Sequence, residues 1–309
     1  MSFQGKAKSV IVGHAVADAL GVPVEFMSRE ELKKNPVKNM REFGTHKVPK
    51  GSWSDDTSMA LCTLDVLTSG SIDYEKIMDN FCKWCYENEY TPTGINFDIG
   101  IGCSQAIGNY KRGKSYSECG LSDEYSNGNG SLMRIHPVTL YLANSCMPIK
   151  EKIEIIHNVS ALTHAHKRSM IGCGIYSFIL WKLLKNPQKE SIYRGIEKAK
   201  EYYCSESELK HYERILNGKL EKLTENEISS SGYVVHSLEA SLWCLLTTSS
   251  YEECALKAVN LGSDTDTVGA IAGGLAGALY GYDSIPSDWK DSLIKLKWIE
   301  ELCQSAYKD

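Results

Sequence analysis

The sequence predicts an all-α protein, and three observations carry that reading. Apolar residues recur three or four apart over 72–84, 149–159, 170–184, 233–246 and 289–302, the spacing of one helix face. Alternating runs flanked by turn residues, which would mark strands, are nearly absent. Gly, Pro, Asn and Ser gather instead in short connections such as Pro92-Thr93-Gly94 and Ser126-Asn127-Gly128-Asn129-Gly130-Ser131. At 309 residues the chain can bury a substantial core, and a bundle of about a dozen helices is expected. The charged, serine-rich stretch 201–231 is the one candidate linker, but it holds amphipathic material of its own. No repeat of fixed period shows, so residues 1–309 are read as a single domain.

The 42% hydrophobic and 24% charged fractions are those of an ordinary globular protein. Lys plus Arg total 34 against 39 Asp plus Glu, a formal charge of -5, so no basic surplus argues for nucleic acid. An anionic substrate must then meet positive charge supplied locally, by metals or helix N-termini. The opening MSFQGKAKSVIVGHAVADALG lacks the basic segment, long apolar run and cleavage site of a signal peptide, so a cytoplasmic location is expected. The longest weakly polar stretch, 268–282, is shorter than the roughly 20 residues a bilayer needs, and no membrane span is expected. Eleven cysteines without a repeating spacing fit reduced thiols. The lone CxxC, Cys82 and Cys85, lacks the further ligands of a zinc site and reads as two cysteines on a helix.

Four segments depart from this pattern. In Gly51-Ser52-Trp53-Ser54-Asp55-Asp56-Thr57, Ser54 suits an N-cap and acidic residues suit a first turn. A cap needs only one carboxylate, however, and two adjacent ones repel unless a cation sits beside them. In Gly262-Ser263-Asp264-Thr265-Asp266-Thr267, Asp264 and Asp266 would lie about 200° apart within a regular helix, so they converge only where the chain enters it from a loop. Hydroxyls interleaved with carboxylates form an all-oxygen set suited to Mg2+ or Mn2+. The helix that follows carries Gly269, Gly273, Gly277 and Gly281 at intervals of four. Each glycine costs a helix about 1 kcal/mol, so the stripe implies close backbone packing and a buried, central helix.

The third segment repeats the small-residue device with Gly13, Ala17 and Gly21, and leaves Glu25 in the loop beyond Gly21 and Pro23. The fourth, Asn127-Gly128-Asn129-Gly130-Ser131-Leu132-Met133-Arg134, reads as a flexible loop whose exposed amides at a helix start could cradle phosphate.

Together these blocks resemble the ADP-ribosylglycohydrolase family, whose founding bacterial members reactivate dinitrogenase reductase by removing ADP-ribose from arginine. The similarity runs from about Lys6 to Leu302, with SDDT at 54–57, the residues at 129–134 and SDTDTVGAIAGGLAGALYG at 263–281 as its most specific parts. It implies an orthogonal all-α bundle holding two divalent ions, Mg2+ or Mn2+, on Ser54, Asp55, Asp56, Asp264, Asp266 and Thr267. Asn129, Gly130, Ser131 and Met133 would contact the substrate, with the pyrophosphate on the amides around 129–131. Asn96-Phe97-Asp98-Ile99-Gly100 is similar to an element of the arginine-specific branch in which the aspartate lies beside the ribose, which makes Asp98 a catalytic candidate. The segment from Ser231 to Ala240 resembles the same branch, with Tyr233 lining the ADP-ribose cleft. Thr163-His164-Ala165-His166 matches a family histidine block, and His164 ranks below the carboxylates. Ser54, Ser263 and Ala17 stand where the family commonly has Thr, Gly and Gly, 101–104 is atypical, and His136 replaces a small apolar residue.

The implied chemistry develops oxocarbenium character at the anomeric carbon while the leaving side chain is protonated or already cationic. Metal ions can orient the ribose hydroxyls and acidify water, and a carboxylate must move a proton. Glu25 and Asp98 are the candidates, with acid and base unassigned between them. The implied partners are an ADP-ribosylated protein as substrate and ADP-ribose as product, with neither membrane nor nucleic acid. Two other readings stand beside arginine-directed hydrolysis: a hydrolase of serine-linked or other ADP-ribose conjugates, and a non-catalytic, crystallin-like or ADP-ribose-binding member. Both metal blocks are intact, which argues against the last.

Overall fold

The computed structural model describes residues 2–307, and among these residues fifteen α-helices form and no strand. The first half contains α1 (Phe3–Gly21), α2 (Arg29–Lys34), α3 (Asp55–Leu67), α4 (Tyr74–Glu87), α5 (Ile101–Lys111), α6 (His136–Ala143) and α7 (Ile149–Ala161). The second contains α8 (Lys167–Lys185), α9 (Glu190–Tyr202), α10 (Glu213–Leu216), α11 (Val234–Leu246), α12 (Tyr251–Val259), α13 (Thr265–Tyr280), α14 (Ser287–Ser292) and α15 (Leu296–Ala306).

Helices α1 and α13 run antiparallel at backbone contact. A Cβ added at Gly277 would stand 2.1 Å from the Ser9 carbonyl oxygen, one at Gly273 2.5 Å from that of Gly13, and one at Gly269 2.8 Å from that of Ala17. At the far end, a Cβ on Gly21 would meet the Asp266 Cα at 2.5 Å. The two small-residue stripes therefore face each other. Gly281 is not part of the contact, because it closes α13 with φ 86. Helices α8, α11 and α12 surround α13, while α3 packs on α4, α6 and α15. A second apolar cluster around Met59, Ile77, Phe81, Trp84 and Ile107 backs α3, α4 and α5.

Three expectations need correction. The periodic stretch 289–302 forms two helices, not one. Its centre is pulled out because Ile294 N donates to Gly51 O and Ile294 O accepts from the Trp53 indole, and Lys295 turns the chain with φ 59. The stretch 201–231 is no bare linker, since Tyr212, Ile215, Leu220 and Ile228 are buried in the main core. Arg29 ties it down by donating to the carbonyls of Glu225 and Ile228. The apolar stretch that meets the length for a membrane span is Phe3–Val24, not 268–282. Of its most apolar window, 94% is buried within the protein, as in a core helix.

Gly277→Ala tests the central contact. Alanine improves helix propensity by about 1 kcal/mol, but overpacking costs about 1–3 kcal/mol, and the obstacle here is a carbonyl oxygen that cannot swing aside. Chemical denaturation should show a net loss of about 1–2 kcal/mol. A stabilised variant would rule out the close approach.

Candidate active site

An aspartate in the last turn of a helix opposes the helix dipole, and Asp18 holds that position in α1. Its carboxylate serves a different helix. It accepts from Ser54 N at 3.0 Å, Thr57 N at 3.1 Å and Thr57 Oγ1 at 2.6 Å, and so caps α3. The Ser54 hydroxyl caps the same turn, accepting from Asp56 N at 3.3 Å and donating to Asp56 Oδ2 at 3.0 Å. Helix α13 is tied in by Thr265 Oγ1, which donates to Gly21 O at 2.8 Å, and by Thr267 Oγ1, which donates to Asp56 Oδ2 at 3.2 Å. The N-termini of α3 and α13 thus meet at the C-terminal end of α1. Their dipoles and first-turn N–H groups favour the negative charge gathered there.

Carboxylate oxygens of Asp18, Asp56 and Asp266 lie within 4.8 Å of one another, as do those of Glu25, Asp264 and Asp266. Asp266 belongs to both groups. Among the described residues no lysine or arginine forms an ion pair with any of the five. Asp56 Oδ1 is buried with no hydrogen-bond partner at all. Burial, and then repulsion between neighbours, pushes Asp55, Asp56 and Asp266 well above the usual carboxylate range. Burial also raises Asp264, against the pull of Asn129, and lifts Asp18 to about 6 and Glu25 to about 7. An all-oxygen set of buried, mutually repelling carboxylates with an orphaned oxygen fits hard divalent cations, which would neutralise it. Asp55 stands slightly apart and accepts from Gly100 N at 3.2 Å, which fixes the loop before α5.

Above the acidic floor opens a cleft of about 580 Å³, bordered by Glu25, Asp55, Asp98, Asn129, Gly130, Met133, His164, Asp264 and Thr267. Asn129 Nδ2 donates to Asp264 Oδ2 at 2.7 Å and to Ser237 Oγ at 2.8 Å, which ties wall to floor. The His164 ring is buried and bonded through Nδ1 to Thr163 Oγ1 at 2.9 Å. Burial, with the Arg134 charge behind it, lowers its pKa to about 3, so it offers the cleft a neutral imidazole.

Two residues named from the sequence lie elsewhere. Ser131 is fully buried, with its Oγ accepting from Ser160 Oγ at 2.9 Å. Tyr233 is half-buried, 5.9 Å below the Arg168 guanidinium and edge-on to His236, and its neighbour Gly232 borders the cleft instead. The 127–134 segment is packed rather than exposed. Asn129 N donates to Gly232 O and Val234 N to Asn127 O, both at 3.0 Å, and no helix starts until His136. His136 itself stacks on His14 in the core at 4.1 Å. Burial lowers both pKa values, that of His14 to about 3.

Sequence reasoning missed Asp18 and His46 as site residues. Asp18 carried a signal, its unfavourable place against the dipole of its own helix. His46 carried none, because it sits in an unpatterned loop. Its Nε2 pairs with Glu25 Oε2, and its ring lies 6.0 Å from that of Phe26 and 5.1 Å from that of Phe97. Glu25 is held a second time through its carbonyl, which accepts from Thr45 Oγ1 at 2.8 Å. One ligand atom from each of Glu25, His46 and Asp98 falls within 4.8 Å of the others, so the two catalytic candidates share one wall.

The family model for ADP-ribosylglycohydrolase matches residues 1–309. The chain belongs to that family. It is 32% identical to the protein named ADP-ribosylarginine hydrolase Tri1 of Serratia proteamaculans, over 98% of this chain and 79% of that one. It is 29% identical to the ADP-ribosyl-[dinitrogen reductase] glycohydrolase of Rhodospirillum rubrum, over 94% and 91% of the two chains. A solved structure titled "ADP-ribosylglycohydrolase-related protein complex" superposes with a TM-score of 0.83 at 29% identity, covering 99% of this chain and 98% of the other. The family's members are hydrolytic enzymes that cleave ADP-ribosyl bonds, and the all-helical fold is theirs.

The raised carboxyls have a consequence for stability. Each binds its proton more tightly in the folded protein than in the unfolded chain, so without metal their contribution is fully present below about pH 4. It is lost as pH rises through about 6 for Asp18 and about 7 for Glu25. In EDTA the protein should therefore melt at a lower temperature at about pH 8 than at about pH 5.5, and added Mg2+ or Mn2+ should raise the melting temperature most at the higher pH. Thermal melts showing the opposite slope in EDTA would contradict the arrangement.

Proposed function

We propose that this protein is a metal-dependent hydrolase that releases ADP-ribose from mono-ADP-ribosyl-arginine on proteins. It works as one domain in the cytoplasm with two Mg2+ or Mn2+ ions. The observation that carries the reading is the convergence of Asp18, Asp56, Asp264 and Asp266 beneath a cleft whose wall holds Glu25 and Asp98. The arginine linkage is supported by the relative named as an ADP-ribosylarginine hydrolase. All eleven cysteines are free, which supports a reducing compartment.

Ser54, Asp55, Asp56, Asp264, Asp266 and Thr267 would hold the ions, with Asp18 securing the turn at the start of α3 that carries the first three. When bound, the ions orient the ribose hydroxyls and make water at the anomeric carbon easier to deprotonate. One of the pair Glu25 and Asp98 takes the proton of the attacking water, and their negative charge stabilises the oxocarbenium-like transition state. That proton is passed on to the departing guanidine as its bond to the anomeric carbon breaks, and the resulting planar cation is one that a carboxylate such as Asp98 binds well. Asn129 and Gly130 bound the side where the pyrophosphate would rest, and the neutral His164 imidazole adds a hydrogen-bonding group without charge.

Metal analysis of the purified protein should find two divalent ions, and EDTA should abolish turnover; full activity without metal would refute the reading. Asp55→Ala and Asp266→Ala should each lower kcat by more than about a hundredfold. The helical circular dichroism should persist, because each change removes charge repulsion rather than a core contact.

Specificity has its own test. Asp98→Asn should slow release from ADP-ribosyl-arginine about tenfold more than release from ADP-ribosyl-serine, since only arginine leaves as a cation that a carboxylate can pair. Equal losses, or a wild-type preference for serine, would contradict the arginine assignment.

A further inference from the structure

The described residues expose eight large hydrophobic side chains, and five of them lie at the cleft or on segments joined to its wall: Phe26, Phe43, Ile95, Ile101 and Tyr125. Their exposures are 68%, 56%, 64%, 78% and 97%. Phe26, Ile101 and Tyr125 border the opening itself. Ile95 shares the adjoining recess with Phe97 and Asp98. Phe43 begins the tight turn that carries His46, a turn joined to the Glu25 segment by the bond from Thr45 N to Pro23 O.

Water-exposed apolar side chains gathered in one place mark a contact surface. Two of these also sit on unfavourable backbone, Phe26 at φ 66 and Phe43 at φ 64, a region that suits glycine or asparagine and not a bulky residue. Each therefore costs the free protein twice, in exposure and in conformation. Sites that keep such costs are commonly functional.

We infer that this apolar rim docks the surface of the protein that carries the modified arginine, so that the enzyme grips the polypeptide around the modification as well as the ADP-ribose. The inference rests on the arginine reading above. An arginine side chain reaches roughly 7 Å from Cα to guanidinium. A guanidinium set beside Asp98 thus leaves its own backbone near Phe26, Ile101 and Tyr125, which border the same opening as Asp98, and near Ile95 in the recess beside it. Charge fits the same occupant, because the carboxylates of Glu25 and Asp98 in the cleft wall complement a cationic side chain, and the apolar side chains beside them exclude water from that contact.

The test compares two substrates of the intact enzyme: a folded protein carrying one ADP-ribosylated surface arginine, and free ADP-ribosyl-arginine. The double variant Phe43→Asn, Ile95→Ser changes rim positions outside the cleft wall, and asparagine tolerates the backbone at 43. KM for the protein substrate should rise about tenfold. Both kinetic constants for the free amino acid conjugate should be unchanged, and the melting temperature should not fall. Unchanged KM for the protein, or equal losses on both substrates, overturns the inference while the arginine reading survives. A wild-type enzyme that cleaves neither substrate refutes the arginine reading and this inference with it. A wild-type dimer in light scattering that the double variant converts to monomer would assign the rim to a second copy of the chain and overturn the inference as well.

Discussion

Backbone contact between α1 and α13 sets the position of every carboxylate at the centre. Ordinary side chains hold packed helices about 8–10 Å apart, and that spacing would separate Asp18 and Glu25 from Asp264 and Asp266. Glycine or alanine at each crossing point brings Gly21 against the Asp266 backbone, and Thr265 then reaches the last carbonyl of α1. From that junction Asp18 reaches across to cap α3 and fixes Asp55 and Asp56 in turn. The acidic blocks, far apart in sequence, become one floor because three helix ends share one point.

That floor is a liability for the metal-free fold. Buried carboxylates that lack cationic partners cost free energy, and burial raises each of them toward protonation. Helix N-termini offset part of the cost through their dipoles and first-turn N–H groups. The rest is borne by the two apolar clusters, which place large buried side chains such as Trp53, Trp84 and Tyr251 around the centre. A divalent ion would relieve the repulsion directly, so metal affinity and metal-free instability share one cause.

Loops supply most of the cleft wall above, together with the start of α5, and strain collects in loops beside it. Among the described residues, four of the seven non-glycine residues with positive φ are Phe26, Phe43, Lys47 and Ser263, all on segments beside the opening. Ser263 has φ 65, which accounts for the glycine common in the family at this position. It keeps the conformation because its N–H donates to Met27 O and its carbonyl accepts from Phe26 N, both at 2.8 Å. This reciprocal pair clamps the α13 entrance to the segment bearing Glu25 and the exposed Phe26.

The all-α class, the facing stripes of small residues up to Gly277 and the acidic blocks at 54–57 and 264–267 were legible in the sequence, because periodicity, capping and glycine spacing are local properties. Glu25 and Asp98 were legible through their neighbours in family-like motifs. Long-range pairing decided the rest. Whether 289–302 was one helix or two depended on Gly51 and Trp53 competing for the backbone of Ile294, more than two hundred residues away. The 127–134 segment read as an exposed phosphate cradle, and became a packed wall because 232–234 pairs with its backbone. His46 joined Glu25 through a loop without pattern, and Gly232 borders the cleft while the Tyr233 ring lies beside Arg168 and His236. In each case the deciding partner was distant in the chain, and no local signal encodes which remote backbone or side chain will arrive.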